Sequence, residues 1–149
     1  RIFTIDDLCT EVLSWFSDHD RARIEVDCAI KDFTIRMPFR TLKRIIRGLI
    51  KNALDASEPE VPVKISCWKD ERFLFIKVRD RGKGMDEQTL NRAIEPFYTT
   101  KEPGKGLGLG LFLAKSAAER LGGNLMLSSI PGEGTVAHIS FALSHIHSR

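Results

Sequence analysis

Apolar positions along the chain switch between a helical and an alternating period, and the switches divide it into elements. Over residues 4–17, Ile5, Leu8, Val12, Leu13, Trp15 and Phe16 fall on one helical face, with Thr4 placed to cap and Asp6 and Asp7 in the positive first turn. Residues 23–28 and 33–37 alternate (Ile24, Val26, Cys28; Phe33, Ile35, Met37) and predict a pair of strands, the second stopped by Pro38. Residues 40–57 return to the helical period through Leu42, Ile45, Ile46, Leu49, Ile50, Ala53 and Leu54. Residues 63–68 alternate as a strand, and 73–78 form a nearly unbroken apolar run that predicts a strand buried on both faces. A short helix over 86–94, capped by Asp86, precedes a loop at 95–106. The apolar run from Leu107 to Leu121 predicts a helix ended by Gly122 and Gly123. Two strands, 124–130 and 135–143, are joined by Pro131-Gly132-Glu133-Gly134, and the tail from Ser144 is expected to fray. The order α-β-β-α-β-β-α-loop-α-β-β predicts an α+β fold, a two-layer sandwich of one mixed sheet covered by helices on one face.

Three places in this pattern carry polar chemistry. Gly104, Gly106, Gly108 and Gly110 occupy alternate positions at the entry to the late helix, where each costs about 1 kcal/mol against alanine. Glycines there serve either as a plain hinge or as a flap over a ligand whose anionic group meets the free N–H groups of a helix start. Asn52 shares the apolar face of its helix with Ile45, Gly48 and Leu49. An inward amide needs a partner, which can be neighbouring backbone, a metal ion or a phosphate cluster. Asp80 ends the apolar strand and opens Asp80-Arg81-Gly82-Lys83-Gly84, either a turn aspartate with glycines of positive φ or an acceptor beside backbone that a ligand can approach.

Composition narrows the class without choosing within it. The 149 residues suffice for one domain with a real core, and 42% hydrophobic and 29% charged residues are ordinary for a globular protein. The net charge of +3 is small and dispersed, so no nucleic-acid partner is expected. No apolar run is long enough to cross a bilayer, and no membrane contact by the chain is expected. Cys9, Cys28 and Cys67 are widely spaced without a C-x-x-C, which predicts neither a disulfide framework nor a zinc site. Each reads as a small core residue in a reducing, cytoplasmic setting, with redox sensing by one of them as the other reading. The chain opens at Arg1 without a methionine and is expected to be a fragment of something longer. The glycines match neither G-x-G-x-x-G nor the Walker A pattern, because neither Gly82-Lys83 nor Gly104-Lys105 is followed by Ser or Thr.

Taken in order, four blocks and a final short motif resemble the catalytic, ATP-binding domain of sensor histidine kinases, in the superfamily shared with gyrase, Hsp90 and MutL. N-A-L-D-A at 52–56 is similar to the N box and D-R-G-K-G at 80–84 to the first glycine box. E-P-F-Y-T-T-K at 95–101 is similar to the F box, and G-K-G-L-G-L-G-L at 104–111 to the second glycine box. G-E-G-T at 132–135 resembles the closing Gly-x-Gly-Thr, so the match covers about 100 of the 149 residues. Within the family the lid sequence resembles the redox-responsive RegB/PrrB/ActS group.

The resemblance implies a Bergerat fold holding ATP and Mg²⁺, with residues 1–20 as an N-terminal helix leading from an absent acceptor domain and 21–149 as the ATP-binding domain. Asp80 would accept a hydrogen bond from the adenine amino group, supported by Thr135, while Gly82 and Gly84 let backbone pass close to the base. Asn52 would coordinate Mg²⁺, and Asp55 would hold a metal-bound water. Residues 98–107, Thr100 among them, would form a lid anchored by Phe97, with Lys101 and Lys105 neutralising phosphates. Gly106, Leu107, Gly108, Leu109 and Gly110 would receive the phosphates at the helix start. Gly48 stands four residues before Asn52, where the histidine kinases have a second Asn and hydrolysing relatives a Glu. Its absence disfavours an efficient hydrolase and leaves phosphoryl transfer to a histidine, which is itself a nucleophile. None of His19, His138, His145 or His147 sits in an H-[ED]-x-x-x-P context. The acceptor is therefore expected on a dimerisation domain outside the chain, with a cognate response regulator downstream and a parent protein that is cytoplasmic or membrane-anchored. The competing expectations are a nucleotide-binding regulatory module without efficient turnover and a serine kinase of the anti-sigma type.

Overall fold

A computed structural model describes residues 1–95 and 110–146 of the 149-residue chain. Its elements run β1 (Ile2–Thr4), α1 (Ile5–Ser14), α2 (Asp18–Ala22), β2 (Ile24–Cys28), β3 (Thr34–Arg36), α3 (Phe39–Ala56), β4 (Val63–Lys69) and β5 (Phe73–Arg79). They continue with α4 (Glu87–Arg92), α5 (Gly110–Arg120), β6 (Gly123–Ile130), β7 (Gly134–Ala142) and α6 (Leu143–Ile146). Five strands form one mixed sheet in the order β2-β4-β5-β7-β6, and β1 pairs with β3 in a small second sheet.

The expected sandwich is present, with its helices on one face of the large sheet. Leu74, Ile76 and Val78 of β5 point to the same side as their register partners Phe141, Ile139 and Ala137 of β7 and, for Ile76 and Val78, as Cys67 and Ile65 of β4. All of these side chains are buried. The apolar stripe of α3, including Leu42, Ile46, Leu49 and Ile50, and Ala114, Ala117 and Ala118 of α5 complete that core. Each fully buried Leu or Ile contributes about 1.5–3 kcal/mol, so α3 is held mainly by this stripe.

Four sequence expectations are corrected. The first helix ends at Ser14, and Ser17, expected within it, instead caps α2 by accepting from the Asp20 amide at 3.2 Å. Thr4 caps α1 as predicted, in a reciprocal box with Asp7. The two early strands do not pair with each other. β2 runs parallel to β4, whereas β3 runs antiparallel to β1 (Phe3↔Ile35), because the link between them bonds elsewhere: Ala29 donates to Cys67 O, and Phe33 O and Lys31 O accept from Ile5 and Asp6. β5 is buried on one face only. Its other face carries Phe75, stacked on Trp68 and on His138 at centroid separations of 5.2 and 5.4 Å, with no helix above it among the described residues. The tail through Ile146 is ordered as α6, whose Ile146 inserts into the core at 2% exposure; the frayed-end expectation overlooked that anchor.

The C-terminal end of α3 is tied down by a residue that periodicity could not single out. Arg23 donates from Nη2 to the carbonyls of Glu58 (3.0 Å), Val61 (3.4 Å) and Leu54 (3.5 Å), and Ser57 Oγ donates to Ala53 O at 2.9 Å. A cation at a helix C-terminus also complements its dipole. The last turn of α3, which carries Asn52 and Asp55, is therefore fixed from below.

Candidate functional site

The acid that ends β5 is held by backbone on two sides. Asp80 is 6% exposed, and its Oδ1 accepts from the amides of Gly82 (2.9 Å) and Thr135 (3.2 Å). The Asp80 amide in turn donates to Thr135 O at 2.9 Å. Among the described residues Oδ2 receives no hydrogen bond, so one carboxylate oxygen is fixed and the other is available as an acceptor. Burial pushes the Asp80 carboxyl above the usual range, and the two amides pull the other way. A nearly buried carboxylate with a free oxygen suits a ligand hydrogen-bond donor.

The loop after Asp80 is locked to the β6–β7 turn. Gly132 donates to Lys83 O at 2.6 Å, and Met85 donates to Ser129 Oγ at 2.8 Å. Ser129 Oγ also lies 2.9 Å from Gly134 O and 2.8 Å from Thr135 Oγ1, the last a bond in which either hydroxyl can donate. Two glycines make the close fit possible. A Cβ on Gly82 would overlap the Ala56 carbonyl, and Gly84 combines φ +70° with an equally close approach to Ile130 O. The expected support of Asp80 by Thr135 thus comes from the Thr135 amide, while its hydroxyl is engaged by Ser129. Ser129 is a site-forming residue that sequence reasoning missed; its only signal was a serine two residues before the turn at Pro131.

The other half of the site faces α5. Asn52 is half-buried on the last turns of α3, and its amide lies 3.6–3.9 Å from the point a Cβ on Gly110 would occupy. Among the described residues that amide makes no hydrogen bond. The expectation of an inward residue holds in part: Asn52 looks into the gap between α3 and the start of α5 rather than into the apolar core. Asp55 pairs with Lys51 at 3.6 Å on the exposed side of the same turn. Gly48 is exposed and a Cβ there would meet nothing within 4 Å, so the face four residues before Asn52 is open.

Asn52 and Ala56 are one helical turn apart, about 6 Å along the axis. One end of that turn meets Gly110 and the other receives Gly82, which brings the N-box and both glycine-box ends of the chain to the same helix. Asp80, Gly82, Gly84 and Thr135 thus meet at the sheet end, and Asn52 and Gly110 meet beside it. Thr100, Lys101, Lys105, Gly106, Leu107, Gly108 and Leu109, and the anchor Phe97, lie outside the described residues. Among the described residues no group of three or more His, Cys, Asp or Glu side chains is arranged to hold a metal ion. The donor present among the described residues, the Asn52 amide oxygen beside the start of α5, suits a hard cation that keeps waters and takes ligand oxygens, rather than an all-protein cage.

Comparison with known proteins identifies the fold and the family. The catalytic domain of histidine kinase ThkA in a nucleotide-free form superposes with a TM-score of 0.83 at 23% identity, covering 95% of this chain and 94% of that one. The mycobacterial sensor histidine kinase MprB superposes at 0.79 with 21% identity, over 95% and 97% of the two chains. Those likenesses establish the fold. In sequence, Sporulation kinase A of Bacillus subtilis is 41% identical over 100 residues, which is 67% of this chain and 16% of that protein. Sensor protein kinase FleS of Pseudomonas aeruginosa is 41% identical over 103 residues, 69% of this chain and 25% of that one. The chain therefore spans between about a sixth and a quarter of the length of these two relatives. The family described as "Histidine kinase-, DNA gyrase B-, and HSP90-like ATPase" matches residues 38–145, a span that takes in Asn52, Asp80, Gly110 and Thr135, and the chain belongs to that family.

Proposed function

We propose that the chain is the ATP-binding catalytic domain of a two-component sensor histidine kinase, transferring the γ-phosphoryl group of ATP to a histidine on a dimerisation domain outside it. The observation that carries this reading is the pairing on one scaffold of two polar groups without a hydrogen-bond partner among the described residues: Asp80 Oδ2 at the sheet end and the Asn52 amide facing Gly110. Asp80 Oδ2 accepts from the adenine 6-amino group, and the Gly82 and Thr135 amides hold the carboxylate in the orientation this needs. Asn52 supplies an amide oxygen to Mg²⁺, and the ion, when bound, supplies charge neutralisation for the phosphates. Lys101 and Lys105 add positive charge, and the start of α5 at Gly110 turns its N-terminal N–H groups to the phosphate oxygens. Thr100, Gly106, Leu107, Gly108 and Leu109 belong to the same phosphate-facing segment, and Asp55 acts through water at its edge.

The acceptor imidazole nitrogen attacks the γ-phosphorus and ADP leaves, so the chain's task is placement and electrostatic support. No carboxylate stands at Gly48 to activate water, and that face is open, which favours transfer over hydrolysis. The first residues, with α1 packed in the common core, lead from the acceptor domain, and residues 21–149 bind the nucleotide. A response regulator then takes the phosphoryl group from the histidine. No helix among the described residues is long and apolar enough to cross a membrane, and the proposed setting of this domain is cytoplasmic.

The test supplies the parent protein's histidine-bearing dimerisation domain in trans with γ-labelled ATP and magnesium. Label on that histidine, lost in Asn52→Ala, is the expected result. Nucleotide binding without transfer would favour a regulatory module instead, and transfer unchanged by Asn52→Ala would refute the role given to that amide.

A further inference from the structure

Three cysteines far apart in sequence converge in the fold. Cys28 and Cys67 are register partners in the parallel β2–β4 ladder, so their side chains leave the same face of the sheet. Cys9 on α1 and Cys67 line one small apolar cavity together with Leu8, Val12, Ile46 and Ile76. Cys67 thus has Cys9 across the cavity on one side and Cys28 beside it in the ladder on the other. All three thiols are free; Cys67 is 2% exposed, whereas Cys9 and Cys28 are half-buried. Spacing in the sequence predicted neither a disulfide framework nor a zinc site; what the topology adds is the proximity of the three cysteines.

The three sulfurs are not equivalent. The neighbouring Cys67 thiol holds Cys9 below its usual range, and Lys31 works in the same direction, against burial and the charge of Asp6. Burial pushes Cys28 up, and Cys67, next to Cys9 and buried, is pushed up strongly. Cys9, half-buried on α1, is thus the sulfur that a solvent-borne oxidant reaches, and Cys67 is the buried thiol across the same cavity. That asymmetry is the one a nucleophilic and a resolving sulfur require. A metal is not the occupant, since the described residues contain no triad arranged to hold one.

We propose that Cys9 and Cys67 form a redox modification site in which a hydroperoxide oxidises Cys9 and Cys67 then closes a disulfide between α1 and β4. In the first step the Cys9 sulfur attacks the terminal peroxide oxygen. An S–O bond forms, the O–O bond breaks, and the leaving oxygen takes a proton as water or an alcohol. In the second step the Cys67 sulfur attacks the Cys9 sulfenic sulfur. The S–S bond forms, the S–O bond breaks, and hydroxide leaves as water with the Cys67 proton. The two sulfurs lose two electrons and the hydroperoxide gains them.

The test treats the full chain with hydrogen peroxide, counts thiols under denaturing conditions and maps cross-linked peptides by mass spectrometry. Of the three thiols, two are expected to disappear in a Cys9–Cys67 cross-link within one chain and to return with dithiothreitol. Cys28→Ser should leave the cross-link intact. Cys67→Ala should abolish it while Cys9 still reacts with dimedone, the trap for sulfenic acid. Should Cys67→Ala lose its cooperative unfolding transition, Cys9→Ser at the half-buried position carries the test: neither cross-link nor dimedone adduct should form. Three surviving thiols in the native chain, a cross-link that includes Cys28, a cross-link between chains, or a cross-link persisting in Cys9→Ser would each overturn the proposal.

Discussion

Replacing Asp80 by Asn separates what the carboxylate does for the fold from what it does for the ligand. The Asn side-chain oxygen can still accept from the Gly82 and Thr135 amides, now 2.9 and 3.2 Å from Oδ1, so the local geometry is retained. The charge that burial disfavours is removed. The sign follows from the raised carboxyl. Asp80 binds its proton more tightly in the folded chain, so its favourable contribution is present below the unfolded value and is lost as pH rises through the folded one. At neutral pH Asp80→Asn should therefore unfold at the same free energy as the native chain or up to about 1 kcal/mol higher. For the ligand the change is opposite. Where Oδ2 accepted from the 6-amino group, an amide NH₂ now meets another donor. The lost charge-assisted hydrogen bond is worth about 1.5–3 kcal/mol. That weakens ATP binding roughly tenfold to 150-fold. The same NH₂ can donate to the 6-oxo group of guanine, so GTP should not weaken in parallel and the ATP-over-GTP preference should shrink at least about tenfold. Titration calorimetry with both nucleotides, beside denaturant unfolding, reads all three quantities. An unchanged ATP affinity in a folded variant, or an equal loss for ATP and GTP, would refute the assignment of Asp80 to the base.

Three further outcomes follow from the geometry. Gly48→Ala should stabilise the chain by about 0.5–1 kcal/mol, because the position is inside α3 and a Cβ there meets nothing within 4 Å; a lower denaturant midpoint would contradict this. Ser129→Ala should destabilise by about 1–3 kcal/mol, since the Met85 amide and the Thr135 hydroxyl lose a shared partner, and an unfolding midpoint equal to the native one would sink the bridging role given to that serine. On acidification, ATP affinity should begin to fall above the ordinary aspartate range near 3.9, because the raised Asp80 carboxyl takes up its proton early; calorimetry across that range would count against the reasoning if Asp80→Asn showed the same decline.

The parts of the molecule legible in its sequence are those fixed by local chemistry. Asn52 stood out because an amide interrupted an apolar stripe, and Asp80 because it ended a strand ahead of closely spaced glycines; both lie where the sheet end and α3 meet. The helix and strand succession was readable for the same reason, since period and capping are properties of neighbouring residues. What failed was non-local. Three residues at Ile2–Thr4 became a strand only because β3 lies beside them. The open face of β5, where Phe75 stacks on Trp68 and His138, carries the same apolar run in sequence as a buried one. Arg23 looked like any surface cation, although its guanidinium bonds to the carbonyls of Leu54, Glu58 and Val61. Ser129 and the meeting of the three cysteines likewise depend on strand register, which no window of sequence encodes. The subgroup resemblance and the roles given to residues 97–109 rest on segments largely outside the described residues.

A structure of the chain with magnesium and a non-hydrolysable ATP analogue is the most direct measurement of the central claim. The adenine amino group should lie within hydrogen-bond distance of Asp80 Oδ2, with the metal on the Asn52 amide oxygen and the phosphates directed toward Gly110. A nucleotide seated away from Asp80, or phosphates pointing away from α3 and α5, would contradict it.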